Sequence, residues 1–171
     1  VANITDYLHN ADWQAILGFK VLDIEFAVEL DDEFDAVRKI VMITKEHVDR
    51  WARVGHYPFN GTLGFRFIKC SDATLSQTRG NKSTALVEFS SFYKTDLFRE
   101  FSGNLIQDLI DEFPTARPHW AKGFQFMPDA VDYMRKSFGD QLTEFMAARD
   151  RAGVDPDDLF MSNYLKRIFR G

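Results

Sequence analysis

"VLDIEFAVELDDEFDAVRKI" (21–40) contains the change of period that decides the fold. From Val21 to Leu30 the apolar positions alternate strictly. Leu22, Ile24, Phe26, Val28 and Leu30 share one face, and Asp23, Glu25, Ala27 and Glu29 share the other. A period of two with one apolar face describes a half-buried strand. After Asp31 and Asp32, either of which can cap a helix, the period becomes three to four. Phe34, Val37, Val41, Thr44, Val48 and Trp51 then predict an amphipathic helix over 32–54, closed by Gly55. The acidic run "ELDDEFD" (29–35) suits the positive end of that helix.

Downstream the same two periods recur. "YPFNG" (57–61) reads as a turn, and "TLGFRFIKC" (62–70) as a second strand. Leu63, Phe65 and Phe67 lie on one face of that strand, with Gly64, Arg66 and Ile68 on the other. "SDATLSQTRGNKS" (71–83) is a polar loop, and "TALVEFSSF" (84–92) a third strand. A second helix spans 95–113 from a Thr95 or Asp96 cap and ends before Pro114. A helical region from Pro128 to Arg151 is broken near Gly139, and a turn with a short amphipathic segment closes the chain. The fold class read from this order is α+β. It has strands 21–30, 62–70 and 84–92 in one mostly antiparallel sheet, helices 32–54 and 95–113 on one face, and the other face open to a ligand.

The 171 residues suit a single domain able to bury a core of its own. A net charge of −5 leaves no basic footprint for nucleic acid, and no apolar run is long enough to span a membrane. The lone cysteine, Cys70, excludes an internal disulfide, reads as an inert buried thiol, and suits a reducing, cytoplasmic setting. The four histidines are scattered without metal-ligand spacing, so no metal site is expected. Glycine-rich phosphate loops and a serine-nucleophile elbow are likewise missing from the sequence. Val1 opens inside what reads as folded sequence, which predicts a piece of something longer.

"ARPHWAKGF" (116–124) crowds Arg117, His119 and Lys122 around Pro118 and Trp120. Pro118 restrains Arg117 to an extended backbone. If the extension continues, His119 and Ala121 face one way, and Trp120 and Lys122 the other. By itself the stretch suits a structural corner as well as an active site, and both readings stay open at this point.

Four segments in order resemble the C-terminal, substrate-side part of the FAD-dependent aldonolactone oxidase family. They are "EFAVELDDEFDAVRKI" (25–40), "LGFRFIKCSDATLS" (63–76), "ARPHWAKGF" (116–124) and "DPDDLFMSNYLKRIF" (155–169). The third is similar to the family's His-Trp-Gly/Ala-Lys segment and is the most specific. The resemblance implies a ferredoxin-like cap domain spanning 1–171, separated from its FAD-binding domain, with the tail 155–171 packing on that absent domain. It implies oxidation of an alcohol group of a sugar lactone, polyol or related alcohol by hydride transfer to flavin. Lys122, Arg66 and His119 would be catalytic, and Lys122 and Asn163 would contact FAD. Arg66 would also bind substrate. The family carries an acid two positions before the arginine, where this chain has Gly64. Glu25 and Glu88 are the candidates to supply that substrate-binding carboxylate, by strand neighbourhood. The implied partners are a small-molecule alcohol and the FAD-binding domain, and this chain alone is expected to hold no FAD and not to turn over. The competing expectations are a non-enzymatic ligand- or protein-binding module of the same fold, or an α+β interaction domain using its Phe-rich surface.

Overall fold

The computed structural model describes residues 21–92, 97–124, 127 and 129–171. The alternating stretch forms β1 (Val21–Glu29), followed by α1 (Asp35–Arg53), β2 (Thr62–Lys69) and β3 (Ser83–Phe92). Then come α2 (Phe98–Glu112), a two-residue β4 (Arg117–Pro118), α3 (Ala130–Phe138), α4 (Asp140–Arg151) and α5 (Asn163–Phe169). The four strands lie in the order β2-β3-β1-β4, every neighbour antiparallel. That order, with α1 joining β1 to β2 and α2 joining β3 to β4, is the ferredoxin-like arrangement. The expected caps at Thr95 or Asp96 and the first-turn role of Pro128 lie outside the described residues.

Register settles which side chains share a face. Ile24, Phe89 and Leu63 stand in one cross-strand row; Phe26, Val87 and Phe65 form the next, and Val28, Ala85 and Phe67 the third. This apolar face packs under α1 and α2, where Phe89, Phe98, Phe101, Leu105 and Ile106 are buried. Phe59 stacks on Phe101 with ring centres 5.6 Å apart. Each fully buried side chain of this size contributes about 1.5–3 kcal/mol.

The stripe of α1 matches the expected one in part, with Val37, Thr44, Val48 and Trp51 packed inward. Ala36, Ile40, Thr44 and His47 are its buried residues, while Phe34 and Val41 are exposed. Polar residues can face inward there because each has a partner. Thr44 Oγ1 donates to Ile40 O at 2.7 Å, and His47 Nε2 lies 2.7 Å from Asp108 Oδ2 on α2. Asp31 caps α1: its carboxylate accepts from the backbone N–H of Glu33, Asp35 and Ala36 at 2.8–3.1 Å. Burial pushes the Asp31 carboxyl up, but those N–H groups outweigh it and hold it below its ordinary value.

Two further expectations are corrected. Cys70 is exposed, because it lies just past the end of the edge strand β2. The second sheet face is not wholly open either, since the polar loop 71–82 folds back across part of it. Trp120 Nε1 donates to Leu75 O at 3.0 Å, and Arg117 Nη1 donates to Arg79 O at 2.6 Å. Thr78 of that loop and Thr84 of β3 are buried. Beyond β4, helices α3, α4 and α5 pack on one another around Met134, Phe138 and Ile168. The break between α3 and α4 falls at Gly139, whose φ of 47° favours glycine.

Candidate functional site

On the second face the cross-strand rows carry charge. Glu25, Glu88 and Gly64 stand opposite one another on β1, β3 and β2. Ala27, Leu86 and Arg66 form the neighbouring row, and Asp23 lies one row to the other side. Strand alternation alone therefore brings Asp23, Glu25, Glu88 and Arg66 to one surface, with Gly64 leaving a gap among them.

Glu25 is 0 % exposed, and its carboxylate is bonded to the Arg66 guanidinium. Gln77, from the folded-back loop, donates to Glu25 Oε1 at 3.4 Å. His119 Nε2 lies 3.8 Å from that same oxygen. The Ala121 N–H donates to His119 Nδ1 at 3.1 Å, so a neutral His119 carries its proton on Nε2, aimed at Glu25. Arg66 also approaches Glu88 Oε2 at 3.9 Å.

Lys122 reaches the cluster from a turn. The paired strand ends at Pro118, and the Lys122 N–H donates to His119 O at 3.1 Å. This corrects the expectation that His119 and Lys122 face opposite ways: a turn replaces the extended backbone that alternation assumes. Two hydrogen bonds to β1 pin it, His119 N–H to Glu25 O at 2.9 Å and Gly123 N–H to Asp23 O at 2.8 Å. The Lys122 ammonium bonds Asp23 Oδ2, and Glu88 Oε1 at 3.0 Å. Partial burial pulls this ammonium down, but Asp23 and Glu88 outweigh it and hold it above its ordinary value. Lys122 and Arg66 thus converge on Glu88 from opposite sides, on one face of the sheet.

The remaining residues of "RPHWAK" build the corner. Arg117 Nε donates to Ser137 O at 3.2 Å, and its guanidinium lies over the Phe138 ring at 5.7 Å. Burial pushes Arg117 down, and nearby Arg79 adds to that. Trp120 stacks on Phe169 with centres 5.7 Å apart. The stretch is therefore a packed corner in Arg117, Pro118 and Trp120, and a contributor of charge in His119 and Lys122.

Beside Lys122 runs a groove of about 580 Å³ walled by Asp23, Trp120, Phe124, Tyr164 and Leu165. Tyr164 Oη is buried in the groove wall with no hydrogen-bond partner among the described residues, and burial pushes the phenol up. Asn163 is exposed at the start of α5, between the groove residues Ser162 and Tyr164. Asp23 and Gln77 escaped sequence reading. The alternation of β1 marks Asp23 as a neighbour of the site, whereas Gln77 arrives from a loop whose docking no local pattern encodes. Among the described residues, no three His, Cys, Asp or Glu side chains could hold a metal ion.

No curated protein matches the chain by sequence. A solved structure of similar fold is cholesterol oxidase from B. sterolicum, at TM-score 0.70 and 17% identity. The match covers 87% of this chain and 34% of that one, so this chain spans about a third of its length. The family model for D-arabinono-1,4-lactone oxidase matches residues 14–168, nearly the whole sequence. The chain therefore belongs to the D-arabinono-1,4-lactone oxidase family, whose members are FAD-linked oxidoreductases.

Proposed function

We propose that this chain is the substrate-side domain of an FAD-dependent oxidoreductase that oxidises an alcohol group of a sugar lactone, polyol or related alcohol. One observation carries the reading: two cations, Arg66 and Lys122, and the carboxylate they share, Glu88, meet on one sheet face beside a groove. A polyhydroxylated substrate needs such alternating donors and acceptors.

The residues present fit a flavin. Lys122 and Tyr164 border the same groove, and the Tyr164 hydroxyl, buried in its wall, has no partner among the described residues, which suits the carbonyl-rich, electron-accepting edge of that ring. Lys122 and Asn163 would hold it. Bound there, FAD supplies the acceptor for hydride from the carbinol carbon. This chain's part is orientation and charge. Arg66 donates to a substrate oxygen, and Glu88 accepts from a neighbouring hydroxyl. Lys122 stabilises negative charge developing on the oxygen that becomes a carbonyl. Glu25 is fully buried, so its part in substrate binding runs through the guanidinium and imidazole it holds. Leu159 and Phe160, 79% and 86% exposed, form the apolar patch of the tail that would face the FAD-binding domain. A cytoplasmic setting fits the single exposed thiol, Cys70, and among the described residues no helix is long and apolar enough to cross a membrane.

A second reading, a binding module without catalysis, is favoured by Gly64. A Cβ placed there meets nothing closer than Glu88 at 4.0 Å, so packing does not demand a glycine in place of the family acid. The test is made in the parent protein containing its FAD-binding domain. Lys122→Ala lowers turnover by about 100-fold or more, the 2.7–4 kcal/mol typical of one lost donor to a developing oxyanion. Flavin content stays level, and Arg66→Ala weakens substrate affinity as well as rate. Normal turnover of Lys122→Ala overturns the role assigned to Lys122, and a parent whose flavin no polyol or lactone reduces overturns the enzymatic reading.

A further inference from the structure

Lys122 has three N–H donors, and two are already committed, one to Asp23 on β1 and one to Glu88 on β3. A single donor is left for whatever enters the groove, and its direction is set by the other two. Of the two acceptors, Glu88 is divided, because Arg66 also lies 3.9 Å from it. Asp23 makes no second ion pair among the described residues, and its backbone carbonyl holds the same turn through Gly123 N–H. The Asp23 residue thus grips both the backbone and the ammonium of the lysine segment.

From this geometry we infer that Asp23 is a positioning residue of the reaction, aiming the free N–H of Lys122 into the groove. The inference rests on the catalytic reading of Lys122 and goes beyond it by naming what directs that side chain. Asp23 acts on the reacting atoms only through Lys122 in this scheme. Without it, Lys122 follows Glu88 toward Arg66, and its remaining donors turn away from the Tyr164 side of the groove. The charged groups facing the ammonium are Asp23 from β1 and Glu88 from β3, with Arg66 from β2 beyond Glu88; Tyr164 from α5 lines the same groove.

Asp23→Asn keeps the side-chain shape and the backbone bond to Gly123 while removing the charge. Two measurements test it. In the present 171-residue chain, selective lysine carbon NMR follows the titration of Lys122. The midpoint moves down in Asp23→Asn and stays in place in Ser90→Ala, which alters the residue facing Asp23 across β3. In the flavin-containing parent, Asp23→Asn lowers kcat by roughly 10- to 100-fold, the cost of a modest misplacement of a reacting group. KM changes much less, and Asp23→Glu recovers part of the loss. An unmoved NMR midpoint overturns the clamp whether or not the parent is an oxidase. A normal kcat in Asp23→Asn, where Lys122→Ala is crippled, overturns the positioning role and leaves the proposed function standing. If Lys122→Ala is itself normal, the catalytic reading falls and the inference falls with it.

Discussion

Replacing Arg66 with methionine would leave Glu25 as a fully buried carboxylate deprived of its principal partner. What remains is a 3.4 Å bond from Gln77 and a His119 nitrogen at 3.8 Å. Removing one partner of a buried pair costs about 3–5 kcal/mol, because the other charge is stranded. Arg66 is itself 57% exposed, so water can enter where the guanidinium stood. That discounts the expected loss to about 2–3 kcal/mol. Glu25→Gln, which removes the charge and keeps the shape and an acceptor, should cost about 1 kcal/mol. For a chain of this size 1 kcal/mol moves Tm by about 2–4 °C, so Arg66→Met should melt roughly 4–12 °C early. The diagnostic variant is the double one. With glutamine at 25 no charge is stranded, so Arg66→Met/Glu25→Gln should be more stable than Arg66→Met alone. Urea unfolding of the four proteins measures the coupling directly. An Arg66→Met that unfolds with the unaltered chain, or a double variant no better than it, would show that Glu25 does not depend on Arg66.

Two glycines of β2 and its approach should respond oppositely to alanine. A Cβ at Gly61 would lie 1.8 Å from the Ser90 carbonyl oxygen, so Gly61→Ala must separate the start of β2 from β3; a loss of about 1–3 kcal/mol or more is expected in urea unfolding. Gly64→Ala meets no such contact and should be neutral, or stabilising by about 0.5–1 kcal/mol, and a large loss there would contradict the open gap. The tail should loosen in acid. Burial pushes Asp155 up, but Arg149 and the N–H groups of Leu159 and Phe160 prevail, and Arg170 with Arg149 holds Asp158 down. Both folded values lie below the ordinary 3.8, so their stabilisation is complete above it and is lost as pH falls through the depressed values. Amide NMR signals of Leu159 and Phe160 should shift in that window, and Arg149→Met should remove the transition; unchanged signals down to about pH 2 would refute the assignment.

How much of this was legible in the sequence depended on distance along the chain. The faces of β1 and β2 followed from alternation, because one side of the sheet is buried and a period of two has one solution. Their register then placed Glu25 and Glu88 in the row of Gly64, which neighbourhood alone had suggested. The stripe of α1 was legible at Val37, Thr44, Val48 and Trp51 but not at His47, whose burial rests on a partner, Asp108, that hydrophobic periodicity does not count. The turn at His119–Lys122 was hidden because its cause lies on β1, where the carbonyls of Asp23 and Glu25 seize backbone N–H groups nearly 100 residues away. Gln77 was hidden for the same reason, since its partner Glu25 is 52 positions distant.

The row of acids on β1 also bears on which sheet can form at all. A slip of β1 by one residue against β3 would exchange its two faces. Asp23, Glu25 and Glu29 would then be driven in among Phe89 and Phe101, away from Arg66 and Lys122. Each carboxylate stranded in that interior costs several kcal/mol, and the three together rival the roughly 5–15 kcal/mol by which a domain is stable. A strand with neutral residues at those positions could settle in several alignments with similar apolar contacts. Charge that reads as chemistry in the finished molecule therefore acts earlier, by excluding misaligned sheets while the chain is still choosing among them.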